Sequence, residues 1–316
     1  MTQELRHIGS ETIKITCSDE YVLTGDHFRP VDSPVRGIVV IAGATGVLAK
    51  YYHRYAKFLA EHGYCAITFD YRGIGASAPT TLRGFHARWY EWGYQDVNAA
   101  LRWARENYPN VEMQVIGHSF GGFGVGLAEE SRWLTRILTV GAQHAYLPDY
   151  AASHRREFVT RWHLQMPLIA LLHGYVDGKA RGWLEDIPRG VALDWARSRK
   201  NFVKIRPRSV SERLRAHQQA LTAKILAVAA TDDPFATVAA MNRTLAYTPR
   251  AAGQIARLEP QAYDLSELGH FALFHSRFSD TFWTQTLDWL GNGNNPWSHL
   301  QVTQSLSQQT FVKEAI

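Results

Sequence analysis

A mostly parallel α/β sheet with helices on both faces and one helical insertion is the fold class this sequence predicts, and three observations predict it. Short continuous apolar runs at 37–41 and 64–69 fit strands buried on both faces. Helical patterns alternate with such runs towards both ends of the chain, which is the signature of helices packed on a parallel sheet. Between about 142 and 222 that rhythm stops, and the chain becomes rich in Arg, His and Trp with helix-like pieces only.

The elements follow in order. Residues 12–17 and 21–28 alternate or run β-branched around the turn Ser18-Asp19-Glu20, so the chain opens with an antiparallel hairpin. After the run 37–41, Tyr52, Tyr55, Ala56 and Leu59 fall at i, i+3, i+4 and i+7 on one helix face, and Gly63 suits the helix end before the strand 64–69. Val97, Leu101 and Ala104 mark a second helix ahead of the strand 113–116, and 137–140 is a further short strand. The run 225–229 resumes the sheet, and Gly291-Asn292-Gly293-Asn294-Asn295-Pro296 ends the last helix. The expected organisation is a core of residues 1–142 and 223–295, a helical cap at 143–222 and a polar tail at 296–316. In the cap, Trp162 and Trp183 are candidate pocket residues; with Trp195 they either line a substrate site from above or form the cap's own core.

Composition bounds the function. With 316 residues, 46% hydrophobic and 20% charged, the chain can bury one large core and is neither disordered nor collagen-like. No apolar run reaches the roughly 18 residues of a spanning helix, and the first ten residues lack a secretory pattern. A cytoplasmic protein with no membrane partner is expected. Cys17 and Cys65, the two cysteines, lie in apolar, strand-like stretches and read as reduced, buried thiols. The 14 histidines include no H-E-x-x-H and no close pair beside a carboxylate, so neither a metal nor another cofactor is expected.

Part of the net charge of +5 sits in Arg197, Arg199, Lys200, Lys204, Arg206 and Arg208, a stretch without an acid. It has no helix-turn-helix, zinc-finger or stacking motif beside it, so it reads as a solvated basic face and no nucleic-acid partner is expected. A non-catalytic binding role would rest on residues 197–208 alone.

The chemistry lies elsewhere. Gly117-His118-Ser119-Phe120-Gly121 is a G-x-S-x-G pentapeptide directly after the apolar strand 113–116. In that context the glycines serve a sharp strand-to-helix turn that leaves no room for side chains and exposes a nucleophilic serine. A serine hydroxyl is a weak nucleophile at neutral pH and needs a base, itself oriented by an acid. Downstream, the apolar run 225–229 ends in Ala230-Thr231-Asp232-Asp233-Pro234, and Leu268-Gly269-His270-Phe271 follows. Ser119, a carboxylate at 232 or 233, and His270 thus stand in the order nucleophile, acid, base. His118 reads as a packing residue, because successive side chains diverge in a tight turn.

These pieces resemble the α/β-hydrolase superfamily from Thr12 to Leu290. The nucleophile turn, the acid loop and Gly269-His270 match, as does Asp70-Tyr71-Arg72-Gly73-Ile74-Gly75-Ala76-Ser77, which is similar to the family's D-x-R-G-x-G-x-S loop. The resemblance implies an eight-stranded sheet and a triad of Ser119, Asp233 and His270. Asp233 is favoured over the alternative acid Asp232 by the family's G-x-x-D register and by Pro234, which biases residue 233 towards extended backbone. It also implies two backbone oxyanion donors, the amide of Phe120 and one from Ala42-Gly43-Ala44-Thr45-Gly46, where Ala44 takes the family position. This loop has Ala42 where the family often has histidine, and with Tyr51 and Tyr52 it resembles the superfamily's predicted, uncharacterised serine hydrolases.

Gly73-Ile74-Gly75-Ala76-Ser77-Ala78 also satisfies the dinucleotide fingerprint G-x-G-x-x-A, but Pro79-Thr80-Thr81 follows in place of a helix, and no second strand with a terminal acid follows. The expected reaction is hydrolysis of a small-molecule carboxylic ester through an acyl-enzyme. Acyl transfer and thioesterase, amidase or carbon-carbon bond hydrolase chemistry use the same triad and remain open.

Overall fold

The computed structural model describes residues 7–204 and 206–302. β1 (Ile8–Thr16), β2 (Val22–Pro30), β3 (Gly37–Ala42), β4 (Tyr64–Phe69), β5 (Met113–His118), β6 (Arg136–Val140), β9 (Lys224–Ala230) and β10 (Ala252–Leu258) form one eight-stranded sheet in the order β1-β2-β4-β3-β5-β6-β9-β10. The opening hairpin pairs antiparallel, with Thr16 opposite Val22, and β2 is antiparallel to β4. The other neighbours are parallel. β3, β4 and β5 are buried at every residue, as continuous apolar runs covered on both faces require.

Two cores follow from that covering. On one face, Tyr52, Tyr55, Ala56 and Leu59 of the first helical segment pack with Phe274, Trp283 and Trp289 against β3, β4, β5 and β6. On the other, Trp89, Trp92, Leu101 and Ala104 pack with Phe120 and Phe123. The helix that carries Leu101 and Ala104 spans Asn98–Asn107.

β10 is the strand of this sheet that the sequence pattern does not mark, because Gln254 and Arg257 interrupt its apolar residues at a half-exposed sheet edge. That edge is covered by the start of the expected tail: Gln301 bridges antiparallel to Ala256, and the Val302 amide donates to Ile255 O at 2.9 Å. Trp297 is buried. Residues 296–302 are therefore packed against the core, because an uncovered edge strand leaves unpaired amides; 303–316 lie outside the described residues.

Between β6 and β9 the chain forms helices, among them Met166–His173, Arg189–Ala196 and Arg208–Ala220, and a small hairpin of β7 (Tyr175–Val176) and β8 (Ile187–Pro188). This insertion is tied to the sheet's carboxyl edge. The Glu185 amide donates to Gly46 O at 2.9 Å, and Asp194 accepts from Arg88 Nε at 3.0 Å and from the Trp89 amide at 3.1 Å. A column of stacked rings links the two parts: Phe120 to Trp89 at 4.6 Å, Trp89 to Trp195 at 5.6 Å, and Trp195 to Trp162 at 4.9 Å.

The basic stretch is not a uniformly solvated face. Arg206 is buried, pairs with Asp194 at 2.6 Å and lies over the Phe202 ring at 4.6 Å. A buried guanidinium needs such a partner, and here it comes from a residue three positions before the run begins. Arg197, Arg199, Lys200, Lys204 and Arg208 are exposed.

Candidate active site

Ser119 sits at the carboxyl end of β5 with φ 54° and ψ −121°, a left-handed conformation that strains an L-residue by about 1–3 kcal/mol. The strain is held by neighbours that cannot move. The Ser119 amide donates to Val140 O at 2.9 Å, and a Cβ at Gly121 would lie 2.0 Å from the Ala42 carbonyl oxygen. The helix Phe120–Gly124 can therefore start immediately after the serine only because residue 121 has no side chain. Its first amide, that of Phe120, has no acceptor among the described residues and lies at a helix N-terminus, where partial positive charge gathers.

His270 meets one of the two carboxylates of the 232–233 pair. His270 Nδ1 donates to Asp233 Oδ2 at 2.7 Å, with both side chains nearly enclosed. This fixes the tautomer and leaves Nε2 as the ring's proton acceptor. The other oxygen, Asp233 Oδ1, accepts the amides of Phe235 at 2.8 Å and Ala236 at 3.1 Å. Burial pushes the Asp233 carboxyl up, but the His270 ring and those two amides outweigh it and hold the group below its ordinary value. Gly141, at φ 63°, passes so close that a Cβ there would lie 2.9 Å from His270 Cε1.

Asp232 is exposed and does separate work: Oδ2 accepts the Leu268 amide at 2.9 Å and Oδ1 the Gly269 amide at 3.0 Å. It clasps the backbone that leads into His270 and does not touch the ring.

The serine hydroxyl has no hydrogen bond to His270 among the described residues. Its Oγ instead accepts from Gln143 Nε2 at 3.3 Å.

Ala44 departs from expectation. Its amide donates to Tyr52 Oη at 2.9 Å in a buried bond, so this N–H is engaged within the protein. The reason is a chain of buried donors. His118 is fully enclosed, and burial, aided by His270, pushes its pKa down to about 3, so the ring is neutral. His118 Nε2 lies 2.9 Å from the His270 carbonyl, which can only accept; Nδ1, 2.8 Å from Tyr52 Oη, must then accept the phenol's proton, and the phenol oxygen accepts Ala44 N–H. The next amide, Thr45, has no acceptor among the described residues, and Thr45 Oγ1 is fixed by Trp89 Nε1 at 3.0 Å. Tyr52 carried a packing signal in the sequence, its place on a helix face, and a place in the resemblance, but none for this hydrogen bond; Gln143 carried none.

Burial also pushes His144 down to about 3. Both rings stay neutral when folded but titrate near 6.5 in the unfolded chain. Between those values the unfolded state binds protons that the folded state refuses, so stability is complete above about pH 6.5 and falls as pH drops. Two such rings together remove roughly 4 kcal/mol by pH 5. The urea midpoint is expected to fall steeply from pH 7 to pH 5; an unchanged midpoint would show that the folded rings accept protons.

Of the candidate pocket residues, Trp183 lines a cavity of about 670 Å³ with Gly46, Tyr51, Leu184, Phe271 and Phe274. Trp162 is not among that cavity's lining residues; it is buried between Trp195 and the edge of Trp183, as packing of the insertion itself. The D-x-R-G-x-G-x-S loop is a brace. Asp70 accepts the amides of Ala49 at 2.7 Å and Ala76 at 2.8 Å, while Arg72 pairs with Asp96 and Asp19, each at 2.6 Å. Cys17 and Cys65 are free and buried. Among the described residues no cluster of His, Cys, Asp or Glu is arranged to hold a metal ion, and no helix is long and apolar enough to cross a membrane.

Comparison with known proteins agrees with this architecture. Residues 33–141 match the family described as serine aminopeptidase, S33. No curated protein matches the sequence. Among solved structures, the Pyrococcus furiosus esterase Pf2001 is similar at TM-score 0.56 and 15% identity, over 90% of this chain and 92% of that one. The α/β hydrolase GrgF from Penicillium sp. sh18 is similar at TM-score 0.58 and 16% identity, over 89% and 98%. A monoacylglycerol lipase from Paleococcus ferrophilus is similar at 0.53 and 15%, over 86% and 99%. Taken with the strand order and the strained serine turn at the end of β5, the structural likeness across nine-tenths of the chain shows that this protein has the α/β-hydrolase fold.

Proposed function

We propose that this protein is a serine hydrolase that cleaves carboxylic esters through an acyl-enzyme on Ser119, with His270 as general base and Asp233 as the acid that orients it. The observation that carries the reading is the 2.7 Å bond from His270 Nδ1 to a buried Asp233 in the same site as a serine held at positive φ. A hydroxyl in such a turn gives its proton to the free imidazole nitrogen as the oxygen attacks the carbonyl carbon, and the buried carboxylate stabilises the imidazolium that forms. The Phe120 amide, without an acceptor at its helix N-terminus, is one oxyanion donor. Thr45 replaces Ala44 as the second, because the Ala44 amide is held by Tyr52. The names of two similar structures, an esterase and a monoacylglycerol lipase, support ester chemistry.

Residues 143–222 act as a cap that sets substrate size. The 670 Å³ cavity lies between the Gly46 loop and Phe271, the chain neighbours of Thr45 and His270; Ser119 and His270 themselves do not line it, and Trp183 and Leu184 of the insertion close one side of it. An apolar chain bound there buries its methylenes at about 0.8 kcal/mol each, roughly a fourfold gain in kcat/KM per carbon until the space is full. The test is treatment with a fluorophosphonate followed by peptide mass spectrometry, and then a panel of p-nitrophenyl esters of graded chain length. The adduct is expected on Ser119, and kcat/KM is expected to rise with chain length and then fall. An adduct on another residue, or none on folded protein, would overturn the assignment.

A further inference from the structure

Gln143 lies in the loop after β6, two residues past the glycine that grazes His270, and its side chain is buried. Its carboxamide has one possible orientation. Oε1 accepts the Ala145 amide at 2.5 Å and the hydroxyl of the buried Tyr150 at 2.8 Å. Flipping the group would set its N–H against the Ala145 N–H, which can only donate, so Nε2 must be the atom that faces Ser119 Oγ at 3.3 Å. The loop accepts an unfavourable backbone to achieve this, with Ala145 at φ 60°. Nε2 carries two hydrogens, and only the bond to Ser119 takes one of them among the described residues.

We propose that Gln143 is a further catalytic residue, a donor that holds the Ser119 oxygen before attack and serves the leaving-group oxygen, then the attacking water, afterwards. This rests on Ser119 being the nucleophile. By accepting from Gln143, Oγ keeps its own O–H free to be given to His270 Nε2. When Oγ bonds to the carbonyl carbon, its proton passes to His270, and Oγ becomes an ester oxygen, a poorer acceptor. Gln143 N–H is then released to the departing oxygen, which takes the proton from His270 as its bond to the acyl carbon breaks. Water follows the same route: its oxygen bonds to the acyl carbon, one proton goes to His270, and Oγ recovers that proton as the acyl bond breaks. The sheet order β3-β5-β6 places the Gly46 loop and Gln143 on opposite sides of the serine. Gln143 therefore serves the leaving-group side, and the oxyanion lies on the other.

The test compares Gln143→Met, Gln143→Glu and Tyr150→Phe for rate of phosphonylation of Ser119, for kcat and KM on p-nitrophenyl butyrate, and for Tm. Gln143→Glu keeps both acceptor contacts and removes the N–H; Tyr150→Phe removes a contact and keeps the N–H. Both Gln143 variants are expected to label at least about tenfold more slowly, with kcat reduced and KM little changed, as for loss of one preset donor. Tyr150→Phe is expected to stay within about threefold of wild type, because the donor remains. Wild-type labelling rates in folded Gln143→Glu, or equal slowing in Tyr150→Phe, would overturn the proposal. If Gln143→Met fails to fold, Gln143→Glu decides alone. Wild-type protein that takes no label on Ser119 would mean that the nucleophile assignment itself had failed.

Discussion

Replacing Ser119 with alanine is expected to lower ester turnover by about 10⁵-fold or more, to the level left by binding and the oxyanion donors alone. The size follows from the chemistry. Without Oγ there is no acyl-enzyme, and water would have to attack the ester directly. Alanine removes one atom from a site already buried, and it inherits the strained turn at φ 54°, which a Cβ tolerates as badly in alanine as in serine. Tm should therefore stay within a few degrees. A folded Ser119→Ala protein that retained more than about one per cent of wild-type turnover would exclude covalent catalysis at this residue. Loss of fluorophosphonate labelling in the same variant should accompany the loss of turnover.

The second large effect separates two adjacent carboxylates. Asp233→Asn is expected to lower kcat by about 10⁴-fold, because an amide in place of the carboxylate presents N–H to His270 and favours the tautomer with its proton on Nε2. In that tautomer the ring cannot accept the serine's proton. Asp232→Asn should cost no more than about tenfold, because its oxygens only clasp the amides of Leu268 and Gly269, and one amide oxygen can keep one of those bonds. The measurement is kcat over pH 6 to 9 for both variants with their Tm. If Asp232→Asn were the inactive one and Asp233→Asn nearly normal, the acid would have been assigned to the wrong residue.

Much of this was legible in the chain. Every strand made of a continuous apolar or β-branched run was readable from it, because burial on both faces leaves a run that local order alone reveals. The nucleophile turn was readable for a similar reason: Gly121 stands where any side chain would meet the Ala42 carbonyl, so a steric demand of the fold is written as residue type. The order of Ser119, the acid loop and His270 was readable because each stands just after an apolar run. What stayed hidden were pairings between residues far apart in sequence. β10 carries Gln254 and Arg257 because it lies near the sheet edge, and a pattern search for apolar runs passes over it.

Which of the two carboxylates meets His270 was decided by the tertiary structure. Asp232 and Asp233 are chemically identical neighbours, and only the loop's course turns one towards His270 and the other towards the Leu268 amide. Ala44 stood in the right motif position, yet Tyr52, eight residues on, reaches its amide because His118 across the sheet fixes the phenol's proton. Arg206 looked like one of six solvated cations until Asp194 was found beside it. Gln143 has no signature at all, since residue type does not say which way a carboxamide points; the Ala145 amide on its oxygen turns Nε2 towards Ser119, which stands at the end of another strand. Local sequence determines which residue types a turn or a buried strand will accept; which hydrogen-bonding group meets which is decided when strands far apart in the chain are laid side by side.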